Sequence, residues 1–431
     1  MKAHIPDIET KTAKEIEQFQ EQELNKLLRY VNTHSRFYTS LFKNHQIDIN
    51  AIHKLDDLVK IPVTTKDDLY KHNHDFICID SEKIIDYVTT SGTLGDPLTF
   101  ALTNNDLERL AYNEHISLAC AGGTRKDVYQ LMTTLDRRFM AGMAYFLGIK
   151  QMGAGVIRVG NGMPEFQWDT IKRLQPTIAI AVPSFLIKLI EFAEQNQIDY
   201  KNCSIKKIVC IGEPIRNADF SYNTLGKRIT DKWPIQLFST YASTEMSAAF
   251  TECEHGIGGH HHPELLIAEF LDDENQPVKN GEAGELTVTT LGVEGMPLIR
   301  FKTGDICRAH YEPCKCGRTT LRVSPILGRK QQMIKFKGTS LYPPALYDIL
   351  NTVSYIKNYI VEVFTNDIGT DEILINIGAV NPPDNFDKEL KDHFRAKLRV
   401  APAIKLDTPD NINKLQYTEM SRKPITFIDR R

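Results

Sequence analysis

The 431-residue sequence has little cysteine (8) and almost no tryptophan (2). It also lacks any apolar run near the roughly 18–20 residues of a membrane span. Its most apolar stretch, residues 177–193, is broken by Pro183 and Lys188. No membrane partner is expected. The first twenty residues hold no apolar core, so no secretory signal is expected and the expected location is cytoplasmic. Eight thiols in so long a chain do not make a disulfide framework, and cytoplasmic thiols stay reduced. An excess of one charge is also missing: 52 Lys and Arg stand against 55 Asp and Glu, for a net charge of −3. Nucleic-acid binders carry surplus positive charge, so nucleic acid is not expected as a partner. A local basic site for a nucleotide is still compatible with this balance. With 25 Gly, 20 Pro and 25% charged residues, the composition excludes collagen-like and disordered classes.

What is present reads as two parts. Residues 1–60 have helical periodicity and no catalytic pattern. Short apolar runs at 130–133, 155–159, 178–182, 208–211 and 236–238 alternate with helical segments at 168–174 and 184–195. That alternation predicts a largely parallel α/β sheet. From about residue 265 the pattern turns to short strands (265–271, 284–290, 298–301), which predict a second, more antiparallel sheet or a small barrel. After Gly328 a hairpin (330–341), a helix (343–350), strands at 359–364 and 372–377 and a helix at 386–398 predict an α+β domain. The expected organisation is a large N-terminal domain, 1–328, and a small mobile C-terminal domain, 329–431.

Three segments could carry chemistry. Residues 89–97, TTSGTLGDP, combine two glycines with four hydroxyls in five positions. Glycines let backbone N–H groups approach an anion, and the hydroxyls can donate to phosphate oxygens. No Gly-Lys-Ser/Thr follows, so it is not a Walker loop, and a plain hydroxyl-rich turn would look the same. Residues 238–245, FSTYASTE, follow a buried strand. Tyr241 could stack on a base and Glu245 could hold Mg²⁺ beside phosphates; a turn with a solvated Glu245 is the alternative. Residues 300–305, RFKTGD, put Asp305 after a glycine turn, where it could accept ribose hydroxyls or simply close a hairpin.

Taken in order, these segments resemble the adenylate-forming superfamily of acyl- and aryl-CoA synthetases, most of all the phenylacetate–CoA ligase family. The resemblance also draws on IGEP (211–214), GRKQQMIKFKGTSLYP (328–343) and SRKPITFIDRR (421–431). It implies that Ser91, Gly92 and Thr93 cradle ATP phosphates, that Gly212, Glu213 and Pro214 line the adenine pocket, and that Thr240 and Tyr241 lie at the nucleotide. It implies further that Glu245 holds Mg²⁺, that Asp305 binds the ribose, and that Arg329 approaches the ribose or phosphate. Lys423 then offsets charge during adenylate formation. The sequence departs from the family in several places. Leu98 and Thr99 follow Pro97 where a lysine is usual, Ala242 and Lys302 replace glycine and arginine, and the hinge reads GRKQQ. Arg422 stands before Lys423 in place of glycine. The family's pivot falls on Gln331.

Two further features complete the reading. Residues 251–264, TECEHGIGGHHHPE, and 313–318, PCKCGR, offer Cys253, Cys314, Cys316 and one histidine for a closed, structural Zn²⁺ site. His260 is favoured by its place before the strand and by the family's Gly-x-His pattern; His255, His261 and His262 stay open. Residues 138–146, RFMAGMAYF, could wall a flat acid pocket through Phe139, Gly142 and Met143, or could be ordinary helix core.

The function expected is ATP-dependent ligation of an aryl, phenylacetate-like carboxylic acid to coenzyme A through an acyl-adenylate. AMP and pyrophosphate leave. One rival keeps the first step with another acceptor, either a carrier-protein thiol or a released adenylated coenzyme. A rival of another class is a non-catalytic, zinc-braced nucleotide-binding scaffold. A homodimer is compatible with the sequence.

Overall fold

The computed structural model describes residues 4–90, 98–337, 339–367, 369–417 and 424–431, without the side chain at 340. It divides into two units. The first comprises residues 1–222, 226–303 and 307–325; the second comprises 223–225, 304–306 and 326–431. The change of unit thus falls at Pro325/Ile326, and two short segments from earlier in the chain join the second unit. No helix among the described residues is long and apolar enough to cross a membrane.

In the first unit five strands lie parallel in the order Gly155–Arg158, Val128–Leu131, Ile178–Ala181, Lys207–Cys210 and Gln236–Ser243. Ile178–Ala181 is buried on both faces, as a central parallel strand must be. The strand Gln236–Ser243 changes partner half-way. Gln236–Ser239 pairs parallel with Lys207–Cys210, and Thr240–Ser243 pairs antiparallel with Ala248–Thr251. From there the sheet continues through Gly259–His260, Arg322–Val323, Phe301–His310, Ala283–Thr290 and Leu266–Leu271. The separate antiparallel sheet expected from residue 265 is therefore corrected: hydrogen bonding is continuous, because one strand serves both halves. The strand expected at 298–301 begins only at Phe301 and runs ten residues to His310.

One helix of this unit, Asn104–Cys120, escaped the sequence reading. Eleven of its positions are buried, including Asp106, Arg109, Asn113, Glu114 and Ser117. Buried polar residues erase the apolar stripe on which periodicity depends. It starts at a capping box formed by Thr103 and Asp106. It packs on the helix Met140–Met152, and a Cβ at Gly148 would lie 2.3 Å from that of Glu114. Glycine is what lets the two helices touch.

The second unit has a four-stranded sheet in the order Ala403–Asp407, Asp371–Ala379, Ile356–Thr365, Phe427–Asp429. The middle pair is antiparallel and both edge strands pair parallel with it. Helices Pro343–Asn351, Phe386–Leu398 and Pro409–Gln416 accompany it, and Ile349, Val361, Ile375, Leu390 and Phe394 lie in one buried cluster. The two short edge strands and the helix Pro409–Gln416 were not expected, since each is too brief to leave a clear periodic signal.

Glu114 is fully enclosed between helices. Burial pushes its pKa up to about 8, with only the Asn113 amide (3.1 Å) opposing. The folded chain therefore keeps a proton that the unfolded chain releases above about 4.5, and stability falls as pH rises from there through about 8. Glu114→Gln should remove a slope of up to about 1.4 kcal/mol per pH unit. Denaturant titrations of both proteins at about pH 5 and about pH 8 check this, and equal losses in the two would refute it.

Candidate active site and metal centre

The glycine- and hydroxyl-rich segment joins two antiparallel strands, Asp86–Thr89 and Thr99–Leu102. Ser91, Gly92 and Thr93 lie outside the described residues. Their base is fixed, since Thr90 N–H donates to the Leu98 carbonyl (3.0 Å) and Leu98 N–H to Thr90 Oγ1 (3.0 Å). Thr89 N–H donates to the Arg138 carbonyl (2.9 Å), so the proposed acid-pocket wall begins beside the first residue of the loop.

Residues 240–243 are strand rather than loop, because Ala248–Thr251 pairs with them; only the turn 244–247 is free of the ladder. Thr240 shares a hydroxyl hydrogen bond with Thr251. The half-buried ring of Tyr241 stacks on Phe250, centroids 5.9 Å apart. Glu245 is buried in the turn, and its carboxylate faces the Lys66 ammonium at 3.4 Å. The turn is held from below by the buried helix Asn104–Cys120. Arg109 donates to the carbonyls of Ser247 (2.6 Å), Leu291 (2.7 Å) and Leu265 (2.5 Å). The Asn113 amide oxygen accepts from Ala249 N–H (3.0 Å). Buried donors so matched make the helix a ruler for the position of Glu245.

Gly212 follows the strand Lys207–Cys210 with φ +77°, a conformation that favours glycine. Both carboxylate oxygens of Glu213 accept from Ser184, one from its N–H and one from its hydroxyl, each at 2.8 Å. Glu213 thus holds the start of the helix Pro183–Gln195, and exposed Gly212 and Pro214 flank it. In the second unit buried Asp305 pairs with Arg329 across the strands (Nε to Oδ1, 3.2 Å), and half of the Arg329 side chain is exposed. Lys423 lies outside the described residues.

Phe139 precedes the helix Met140–Met152 and is half-buried, while Met143 is exposed. Gly142 is sealed: a Cβ there would lie 2.1 Å from the Thr134 carbonyl oxygen. Its smallness serves the packing of the helix on residues 134–135, a role that the sequence did not assign.

Cys253, His260, Cys314 and Cys316 come together from two loops and a short strand, with their donor atoms within 4.8 Å of one another. Cys253 and Cys314 sulfurs are 3.6 Å apart, and Cys316 Sγ is 3.6 Å from His260 Nε2. All three thiols are free. The hydrogen bond from the Cys253 thiol, followed by one with His260, holds Cys316 far below the ordinary thiol range despite burial. The neighbouring histidines are engaged elsewhere. His261 Nε2 meets the Leu266 carbonyl (2.6 Å), and His262 lies between Ser117 Oγ (3.2 Å) and the Glu9 carboxylate. His255 is only partly buried beside Glu254. Glu9 also binds Arg318 (2.5 Å), whose other arm reaches Cys316 Sγ (3.6 Å).

The family model "AMP-binding enzyme" matches residues 16–295, well over half of the sequence. The chain belongs to this family. Among AMP-binding enzymes it is similar to the phenylacetate–coenzyme A ligase of Thermus thermophilus, at 28% identity over 382 residues, 88% of this chain and 84% of the relative. It is also similar to that of Escherichia coli, at 29% identity over 353 residues, 79% of this chain and 77% of the relative. A crystal structure of 2-hydroxyisobutyryl-CoA ligase in the postadenylation state shares the fold, with a TM-score of 0.85, 21% identity and coverage of 100% of this chain and 95% of that one.

Within this AMP-binding enzyme the sequence had pointed to Glu245 but not to Lys66, Arg109 or Asn113. Lys66 carried a local signal, the Thr65–Asp68 capping box that begins its helix. Arg109 and Asn113 carried none, because the backbone atoms they hold lie more than a hundred residues away. Gly142→Ala should force the start of its helix off residues 134–135 and destabilise the protein by about 1–3 kcal/mol. Thermal unfolding checks it; an unchanged midpoint would show that the helix can shift freely.

Proposed function

We propose that this AMP-forming acid–CoA ligase acts on an aryl carboxylic acid. The observation that carries the reading is the alignment with phenylacetate–CoA ligases along most of the chain; the apolar, aromatic residues around Phe139 and Met143 support an aromatic acid. A carboxylate oxygen of the acid attacks the ATP α-phosphorus and the bond to the leaving pyrophosphate breaks, giving the acyl-adenylate. The CoA thiol then attacks the acyl carbon and AMP departs. Bound Mg²⁺ would supply charge neutralisation at the phosphates. A buried carboxylate already paired with a cation fits that ion, so Glu245 is the residue to hold it. Tyr241 offers a ring face to adenine, Asp305 its carboxylate to ribose hydroxyls with Arg329 beside it, and Ser91, Gly92 and Thr93 bind phosphate. Lys423 donates to the charge that develops in the first step, and the small unit moves about Gln331 between the two steps.

A panel of carboxylic acids scored for AMP formation tests this reading. Aryl-acetic and benzoic acids should give AMP in a strictly CoA-dependent manner. Acid-dependent pyrophosphate release beyond one equivalent per enzyme without CoA would assign a different acceptor, and preference for short aliphatic acids would refute the aromatic specificity.

The same chain holds one structural Zn²⁺ through Cys253, His260, Cys314 and Cys316. Tetrahedral bonds of about 2.3 Å to sulfur and about 2.0 Å to nitrogen set adjacent donors roughly 3.5–3.8 Å apart. The two separations of 3.6 Å fit that spacing. Three soft sulfurs and an imidazole leave no open position, so the metal braces loops and does no chemistry. Metal analysis should find about one zinc per chain. Cys314→Ser should lose it and lower stability by several kcal/mol, since zinc binding is folding free energy. Fewer than one zinc per chain in fresh wild type would refute the site.

A further inference from the structure

The strand Gln236–Ser243 leaves one partner at Ser239 and takes up the next at Thr240. Two segments read as lining the adenine site flank this change-over: Tyr241 on the strand itself, and residues 212–214 after the neighbouring strand Lys207–Cys210. A buried ion pair ties them together. Arg216, two residues after Pro214, sets its fork on Glu252, Nε to Oε2 at 2.6 Å and Nη2 to Oε1 at 2.9 Å. The same Oε1 accepts from Ser239 N–H (2.7 Å). The Glu252 side chain is 1% exposed and that of Arg216 12%. Arg216 has little room to turn aside. Its Nη1 donates to the Phe220 carbonyl (2.9 Å), and its guanidinium lies over the Tyr222 ring at 4.5 Å. A Cβ at Gly256 would come within 2.3 Å of its Nη2. A carboxylate that holds a guanidinium with both oxygens and a backbone N–H with one of them is fixed in place.

We propose that Arg216 and Glu252 are positioning residues for the nucleotide: the pair sets the spacing between residues 212–214 and Tyr241, and with it the fit of the adenine between them. The proposal rests on the reading that these two segments line the adenine site. Apolar side chains of similar volume would hold two loops together as well or better. What the fork adds is a fixed direction and distance, and a slot for a flat ring needs both. Glu252 delivers that geometry to the backbone at Ser239, two residues before Tyr241, and Arg216 delivers it to the chain that leaves Pro214.

The test is calorimetric titration of the full-length protein with AMP, set beside thermal unfolding, for wild type, Arg216→Lys, Tyr241→Ala and a double variant that joins Arg216→Met to Glu252→Gln. The double variant removes both charges together and leaves an amide oxygen for Ser239 N–H, so its unfolding midpoint should stay near that of wild type. Its AMP affinity should fall by roughly tenfold or more, as misplacement of a binding group by a remote change commonly causes. Arg216→Lys should lose less, because one charged hydrogen bond to Glu252 remains. Wild-type AMP affinity in the double variant, with a loss in Tyr241→Ala, overturns the proposal alone. So does a loss of AMP affinity that merely follows a fall in midpoint through the series, which marks a brace for the fold. Unchanged affinity in Tyr241→Ala, or wild type that binds no AMP, overturns the adenine-site reading and the proposal with it.

Discussion

Arg109, buried at the centre of the first unit, cannot be left unpaired, and much of the architecture follows from satisfying it. Burial pulls its pKa down to about 10, and it keeps its charge by giving its donors to three carbonyls from three loops. One turn earlier Asp106 accepts the N–H groups of Glu294 (2.8 Å) and Gly295 (2.9 Å). One turn later Asn113 takes the N–H of Ala249, and at the helix end the Cys120 thiol meets the Thr251 carbonyl (3.3 Å). A single helix therefore reads the backbone of the antiparallel strand that follows the Glu245 turn. Losing one partner would leave a buried group unsatisfied, which costs more than the bond contributes. The carboxylate of the candidate active site is placed by this requirement rather than by its own contacts.

The second constraint lies at the far end of the same helix. Ser117, His262, Glu9, Arg318 and Cys316 form one hydrogen-bonded series, buried except at the partly exposed Cys316. A serine, a histidine and a carboxylate in line suggest nucleophilic chemistry, but all three are sealed from solvent. Here the series instead ties the turn Asp7–Thr10 to the cysteine loops: Thr319 N–H donates to the Glu9 carbonyl (2.8 Å). Glu9 shows the balance of forces. Burial alone would raise its pKa, yet the charges and hydrogen bonds of His262 and Arg318 hold it below the usual carboxylate value. A metal held by Cys253, His260, Cys314 and Cys316 would close the same brace from the other side.

The alternating apolar runs of the parallel half, the α+β content of the small unit and the cysteine–histidine grouping were legible in the sequence, because each depends on local spacing. The strands at 178–181 and 207–210 lie within a residue of where the short apolar runs 178–182 and 208–211 put them. The helix Pro183–Gln195 starts at its proline, as a fixed φ and a missing donor favour. The order of motifs sufficed for the family, since a nucleotide site assembled from loops leaves short, ordered signatures along the chain.

What only the tertiary structure decided depends on pairs far apart in sequence. The sequence could name four histidines for a metal; folding leaves His260 beside Cys316 and commits His261 and His262 to a carbonyl and a carboxylate. It could mark Gly142 as small, but not that a carbonyl fills the space where a side chain would be. It could place Glu245 after a strand, but not Lys66 opposite it, 179 positions earlier in the chain. Local spacing encodes which elements form, because propensity and periodicity act over a few residues. Which buried polar groups meet is settled only when the elements pack, because a hydrogen bond or ion pair requires coincidence in space and leaves no periodic trace in sequence.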